Sequence, residues 1–163
     1  MHFLFLLFSF FTFLPSNDKG LCNLNNTSFN AGEKISYTIY YNVIGLYVNA
    51  GKTDFTVQST SFNDNDAFAF TAIGKSNSKY DWIFKVRDKY ESYIDTANLQ
   101  PIKFIRNVDE GGYKIYENVT FYHDKKTAVT NKGVFAIPSC AQDVLSEVYL
   151  ARNMDFNSLK PGE

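Results

Sequence analysis

The sequence predicts a mainly β fold, a strongly curved antiparallel sheet or partial barrel with one C-terminal helix. Apolar and polar residues alternate with a period of two from Glu33 to Val57, as in strands with one apolar face. Short segments of the same kind follow, separated by turn-forming residues, which is typical of sandwiches and barrels. Towards the C-terminal end the apolar spacing changes to that of a helix.

The chain begins with a segment that has the length of a signal-peptide core. Residues Phe3–Leu14 are apolar apart from Ser9 and Thr12. Such a run is too short to span a bilayer and fits a cleaved signal peptide over residues 1–16. No Lys or Arg precedes it and no A-x-A site follows, so an uncleaved membrane anchor is the alternative. We expect the chain to be exported.

The rest of the chain is expected to form one domain. Residues 17–32 are polar and form a tail, and residues 33–163 form a single β-rich domain. The formal net charge is −1, and no basic block stands out. A near-neutral domain has no positive field to attract a polyphosphate, which argues against nucleic acid as a partner.

Alternation and turn residues predict seven strands. They are Glu33–Val43, Leu46–Gln58, Ala67–Gly74, Trp82–Asp95, Ile102–Val108, Tyr113–His123 and Thr127–Phe135. The apolar phase changes past Gly51, which indicates a β-bulge or a sharp coil of the strand. Residues Lys75–Asp81 have the composition of a single helical turn. Asp109–Gly112 is a hairpin signal, because glycines accept positive φ.

The one helix is predicted over Gln142–Asn153. Ser139 is the candidate N-cap, because the segment Ser139–Gln142 has the spacing of a capping box. The apolar residues of this segment form one stripe at helical spacing. The stripe consists of Val144, Leu145, Val148, Tyr149 and Ala151.

Two cysteines, Cys22 and Cys140, are present. An exported chain enters an oxidising compartment, and an even count permits a disulfide bond between them. The alternative is that Cys22 is the lipidated first residue of a lipoprotein. The polar residues 17–21 do not resemble a lipobox, so we favour the disulfide.

Three charged residues fall in the apolar phase of their strands: Asp88, Arg106 and Glu117. A buried charge must be paired or its pKa must shift. One interpretation is an internal salt-bridge cluster, or a bulge that turns one residue outward. The other is that the three form the floor of a ligand cavity. We expect all three on the inner face and Arg106 paired with at least one of the two acids. Since the fifth and sixth strands are joined by a hairpin, Arg106 and Glu117 can be cross-strand neighbours.

No constellation of catalytic residues stands out. His123 is the only histidine outside the leader, and we interpret it as an exposed turn residue. Neither Ser139 nor Ser146 lies in a G-x-S-x-G elbow, and no nucleotide-binding glycine motif is present. We therefore expect no enzymatic activity, no cofactor and no metal site.

The order of several short motifs resembles the family called domain of unknown function 3108. These motifs are Phe29–Glu33, Ala50-Gly51, Val86–Asp95, Glu110–Tyr113 and Gln142–Ser146 followed by Tyr149 and Ala151-Arg152. The resemblance covers residues 29–163. It implies an exported, mostly β protein of Gram-negative bacteria, located in the periplasm or associated with the outer envelope. The family supplies no catalytic residues to carry over.

The leading functional hypothesis is a non-catalytic envelope protein that binds a lipid or other apolar or amphipathic ligand inside the curved sheet, since ligands of β-barrels lie in their mouths. The alternative is a structural or interaction module with a solid core, whose partner is an envelope protein. Residues Leu159–Glu163 are turn-forming, and members of the resembling family continue beyond this point. We therefore expect a longer native domain, an open sheet edge and exposed inner-face aromatic residues such as Tyr37 and Phe70.

Overall fold

The structure is a computed structural model that describes residues 24–158. The predicted signal peptide, with its core Phe3–Leu14, and Cys22 lie outside the described residues. The described part folds into one eight-stranded antiparallel sheet in which strands follow one another in chain order. The strands are β1 (Lys34–Val43), β2 (Leu46–Phe62), β3 (Asn65–Ser76), β4 (Val86–Asp95), β5 (Pro101–Glu110), β6 (Tyr113–Tyr122), β7 (Thr127–Thr130) and β8 (Gly133–Ala136).

The predicted fold class is confirmed. The sheet is open, with β1 and β8 at its two edges, and the α-helix α1 (Val144–Ala151) follows it. A 3₁₀ turn over Ser78–Tyr80 confirms the single helical turn, and a second 3₁₀ turn covers Phe156–Ser158. Over the described residues, no helix has both the length and the apolarity needed to cross a membrane.

Local turn chemistry sets the hairpins. Ile44-Gly45, Asn63-Asp64 and Gly111-Gly112 all have positive φ and each joins two strands as a two-residue loop. The β1–β2 register skips one residue, Ala50, which confirms the bulge predicted beside Gly51. A Cβ atom at Gly51 would lie 2.6 Å from the carbonyl oxygen of Lys75, so only glycine fits there.

Two predicted strands were wrong. The fourth strand begins at Val86 instead of Trp82, because the N–H groups of Ile83 and Phe84 donate back to the carbonyl of Tyr80 and not to a neighbouring strand. The predicted strand Thr127–Phe135 is instead a hairpin of β7 and β8. Its turn is closed by the Thr130 hydroxyl, which accepts a hydrogen bond from the backbone N–H of Lys132 at 2.9 Å.

Alternate residues of every strand share the face on which α1 packs, which we call the inner face. The helix contacts β3 and β4 and covers one half of this face. The core of that half consists of Phe29, Val57, Phe70, Ala72, Ile94, Leu99, Leu145, Tyr149 and Leu150. The rings of Phe70 and Tyr149 stack with their centroids 4.0 Å apart. Phe70 is therefore buried, contrary to expectation, whereas Tyr37 is exposed as expected.

The helix is capped and rotated differently from its prediction. Asp143, not Ser139, is the N-cap, and it forms a capping box with Ser146. Leu145, Ser146, Tyr149 and Leu150 are buried, while Val144 and Val148 of the predicted stripe are exposed. The buried face of the helix differs from the predicted stripe because the Asp143 carboxylate is itself buried and hydrogen-bonded to Ser92 of the sheet at 2.5 Å.

Candidate functional site

Part of the inner face that α1 leaves uncovered forms a groove of about 720 Å³. Its floor comes from β2, β3 and β4, and includes Thr53, Gly74 and Val86. Its walls are mostly apolar. Prominent wall residues are Ile39, Tyr41, Leu46, Val48, Ile83 and Phe84.

The groove forms because the β1–β2 hairpin is longer than its neighbour. Gly51 pairs with Ser76 at the end of β3, so residues 40–49 extend past β3 and form one wall. Asn77 holds the base of this wall, since its backbone N–H donates to the carbonyl of Ala50 at 2.8 Å and its side chain donates to the carbonyl of Asn49. The segment 80–84 forms the opposite wall.

Two carboxyl groups, those of Asp88 and Glu110, line the groove together with Lys75. Asp88 accepts a hydrogen bond from the backbone N–H of Asp109 at 3.2 Å. Burial, and next the neighbouring Glu110 carboxyl, raise the pKa of Asp88 above its ordinary value. The groove therefore combines apolar walls with an acidic end whose Asp88 carboxyl takes up a proton more readily than usual.

The register places the three predicted charges, Asp88, Arg106 and Glu117, on the inner face. Arg106 and Glu117 are directly opposite each other, and Arg106 Nη2 donates to Glu117 Oε2 at 2.8 Å. Lys132 donates to the other oxygen at 2.9 Å, and this bond is the main reason why the pKa of Glu117 is lowered. Arg106 and Glu117 lie outside the groove lining, whereas Asp88 is part of it.

Several groove residues were missed by the sequence reasoning. Glu110 was assigned to a turn, yet it extends β5 opposite Val86 and so shares the inner face with Asp88. The even-numbered phase of Phe104, Arg106 and Val108 continues to Glu110 and was the available signal. Ile83 and Phe84 were assigned to a strand, and no sequence signal placed them on a wall.

His123 is half-buried instead of exposed. Its Nε2 lies 2.8 Å from the carbonyl oxygen of Pro101, and its ring stacks on that of Phe121. In the part of the chain that is described, no group of three or more His, Cys, Asp or Glu side chains is arranged to hold a metal ion.

Fold and groove together define a class of protein: an open antiparallel β-meander with one helix on its inner face and an uncovered apolar groove beside it. The chain belongs to the family described as "Protein of unknown function (DUF3108)", which matches residues 36–163. The match begins at the third residue of β1 and includes β2 to β8, α1 and the residues that follow. Comparisons with curated proteins and with solved structures gave no match.

Proposed function

We propose that this chain is an exported, non-catalytic protein of the periplasm or outer envelope that binds an apolar or amphipathic ligand in the inner-face groove. The observation that carries the proposal is the groove itself, about 720 Å³ between largely apolar walls. Ligand pockets for small molecules have volumes of roughly 300–1,000 Å³ and combine apolar walls with a few polar groups.

The chemistry of the lining suggests how such a ligand is oriented. Each methylene that enters the walls contributes about 0.8 kcal/mol of favourable burial. The polar end of the ligand lies at Asp88 and Glu110, whose carboxyl groups offer hydrogen-bond acceptors. An acyl chain that ends in a hydroxyl, amide or amine group matches this arrangement.

Gly74 offers a direct test because it lies on the floor of the groove and has ordinary strand geometry. A Cβ atom there would lie 3.8 Å from its nearest neighbours, so Gly74→Phe fills the groove without straining the backbone. Thr71→Phe is the matched control, since Thr71 is on the same strand but on the outer face. Displacement of a fluorescent probe whose acyl chain ends in an amide group measures binding, and thermal unfolding verifies that both variants are folded.

We expect Gly74→Phe to weaken probe binding by at least about tenfold, which corresponds to about 1.4 kcal/mol, and Thr71→Phe to bind as the original chain does. Lipid extraction and mass spectrometry of the purified protein then identify any ligand that is carried along. Purified protein that carries nothing and binds no probe would overturn the proposal.

The alternative, a structural or interaction module with a solid core, has one observation in its favour. The helix-covered half of the inner face is tightly packed, with the Phe29 ring edge-on to both Phe70 and Tyr149 at 5.2 Å. If the inner face serves only as a packed core, the probe does not bind to the original chain. The variants Gly74→Phe and Thr71→Phe then leave the binding of a protein partner unchanged.

A further inference from the structure

One end of the molecule exposes a cluster of large apolar side chains. The β1–β2 turn exposes Ile44 at 99% and Tyr47 at 75%, and the segment before β4 exposes Trp82 at 83%. Their neighbours Leu46 and Phe84 line opposite walls of the groove, so the two groups flank its opening. We call this cluster the rim. It consists of Ile44, Leu46, Tyr47, Trp82, Ile83 and Phe84.

Ile44 is the residue that folding explains least. Its φ is 51°, a left-handed conformation that is unfavourable for an L-residue with a Cβ atom. Turns of this type prefer asparagine, aspartate or glycine. Because Ile44 is also fully exposed, neither the backbone nor burial among the described residues favours an isoleucine there. Its apolar side chain is therefore available for a contact outside the described residues.

The charges around the rim indicate what kind of surface that contact involves. Residues 40–51 hold no charged side chain, so the hairpin tip presents only apolar and neutral polar groups. Residues 75–87 hold four basic side chains and one acidic side chain, Asp81, which is paired with Arg87 at 2.5 Å. Lys79 and Lys85 flank the segment Trp82–Phe84 in sequence, whereas Lys75 lines the groove.

We propose that the rim docks on a lipid bilayer that contains anionic lipids, with Ile44 and Trp82 entering the interface and the lysines contacting headgroups. Tryptophan and tyrosine are enriched at membrane interfaces, and basic residues are attracted to anionic lipid surfaces. A lipid surface fits better than a folded partner, because the rim combines two separate exposed segments, one without charged residues and one flanked in sequence by Lys79 and Lys85. Docking places the mouth of the groove at the membrane.

The chain contains one tryptophan, Trp82, so its fluorescence reports on the rim alone. The probe surfaces are vesicles of phosphatidylcholine with phosphatidylglycerol, and vesicles of phosphatidylcholine alone. We expect a blue shift on the first kind of vesicle and quenching by brominated lipid. Comparison with the variant Ile44→Asp separates this signal from any membrane binding by the apolar residues 3–14.

Ile44→Asp adds a charge at the tip and suits the left-handed backbone. We expect it to weaken vesicle binding by about tenfold or more, as removal of one buried aliphatic side chain predicts. Val144→Asp is the matched control, because it replaces another exposed apolar residue on α1, away from the rim, at a helix start that favours acids. A Lys79→Gln, Lys85→Gln double variant should lose about fivefold per lysine on anionic vesicles only.

An unchanged Trp82 spectrum on anionic vesicles, or full binding by Ile44→Asp, would overturn the proposal. Self-association that Ile44→Asp abolishes, without vesicle binding, would overturn it in favour of an interface between two copies. If the chain neither binds vesicles nor self-associates, the proposal is also overturned, and a different protein becomes the candidate partner of the rim. The inference stands apart from ligand binding: Gly74→Phe should keep vesicle binding, and Ile44→Asp should keep probe binding.

Discussion

The hydroxyl of Ser92, in the middle of β4, donates a hydrogen bond of 2.5 Å to Asp143, the N-cap of α1. The other carboxylate oxygen of Asp143 accepts the backbone N–H groups of Leu145 at 2.8 Å and Ser146 at 3.1 Å. One buried side chain therefore begins the helix and attaches it to the sheet. This contact decides which half of the inner face is covered and which half remains a groove.

We expect Asp143→Ala to lower the free energy of unfolding by about 2–3 kcal/mol, because the cap is lost and the Ser92 hydroxyl is left buried without its acceptor. Ser92→Ala alone should cost about 1 kcal/mol. Urea denaturation of both single variants and the double variant measures the coupling. Val144→Ala, on the exposed side of α1, is the control and should change stability by less than about 0.5 kcal/mol. Strictly additive effects would show that the two side chains do not interact.

Glu33 and Arg152 join the start of β1 to the end of α1 through two hydrogen bonds, of 2.6 and 2.9 Å. The bond from Arg152 is the main cause that lowers the pKa of Glu33 below its ordinary 4.5. A lowered pKa in the folded state stabilises the fold above pH 4.5, and this contribution is lost as pH falls through the folded-state value.

Glu33→Gln should therefore lower stability at neutral pH by about 1–2 kcal/mol, and the difference should shrink in acid. Chemical denaturation across that pH range measures it. Glu91→Gln, which removes only a pair with Lys89, is the control and should cost less than about 1 kcal/mol. A difference that is equally large in acid would contradict the assigned role of the carboxylate.

We expect Arg106→Met to lower the free energy of unfolding by about 1 kcal/mol. A fully buried ion pair would cost about 3–5 kcal/mol when one partner is removed. The Arg106 and Glu117 side chains are 31% and 24% exposed, and Lys132 still neutralises Glu117 after the change. A Lys132→Met, Arg106→Met double variant should lose more than the sum of the single losses. A loss of about 3 kcal/mol or more in the single variant Arg106→Met would mean that the ion pair is shielded from water and that Lys132 does not neutralise the remaining Glu117 charge.

Asp88→Asn should stabilise the protein at neutral pH. Burial raises the folded-state pKa of Asp88 above 3.8, so its contribution to stability is present below pH 3.8 and is lost as pH rises through the raised value. The thermal midpoints of the variant and the original chain should separate with rising pH. Asp54→Asn is the control of opposite sign, because the hydrogen bond from Ser36 is the largest of the causes that lower the pKa of Asp54 to about 2. Destabilisation by Asp88→Asn at neutral pH would show that Asp88 is needed as a carboxylate.

The disulfide between Cys22 and Cys140 stays a prediction, since Cys22 lies outside the described residues. Closing a loop of this length should stabilise the fold by about 4–5 kcal/mol. Alkylation with and without reductant, followed by mass measurement of the purified protein, decides it, and Cys140→Ser serves as the unbridged control. Two alkylated thiols without reductant, or a lipid on Cys22, would contradict the prediction.

The sequence by itself determined most of the strands, their apolar phases and most of the hairpins. These features are local: side chains alternate with period two, and Gly111-Gly112 accepts the positive φ of a two-residue loop. The opposition of Arg106 and Glu117 also followed, because a hairpin turn sets the register of the strands it joins. The bulge beside Gly51 was visible as a change of phase.

Only the tertiary structure decided which parts of the inner face are covered. Val144 and Val148 have the spacing of a buried helix face, yet both are exposed. The contact between Ser92 and Asp143, which are far apart in sequence, sets which face of the helix packs on the sheet. The walls of the groove likewise depend on how far the β1–β2 hairpin extends past β3 and on where the segment Trp82–Phe84 folds back. Its acidic end depends on the strand pairing that brings Glu110 beside Asp88. Such relations join distant segments, and local periodicity carries no information about which distant residues meet.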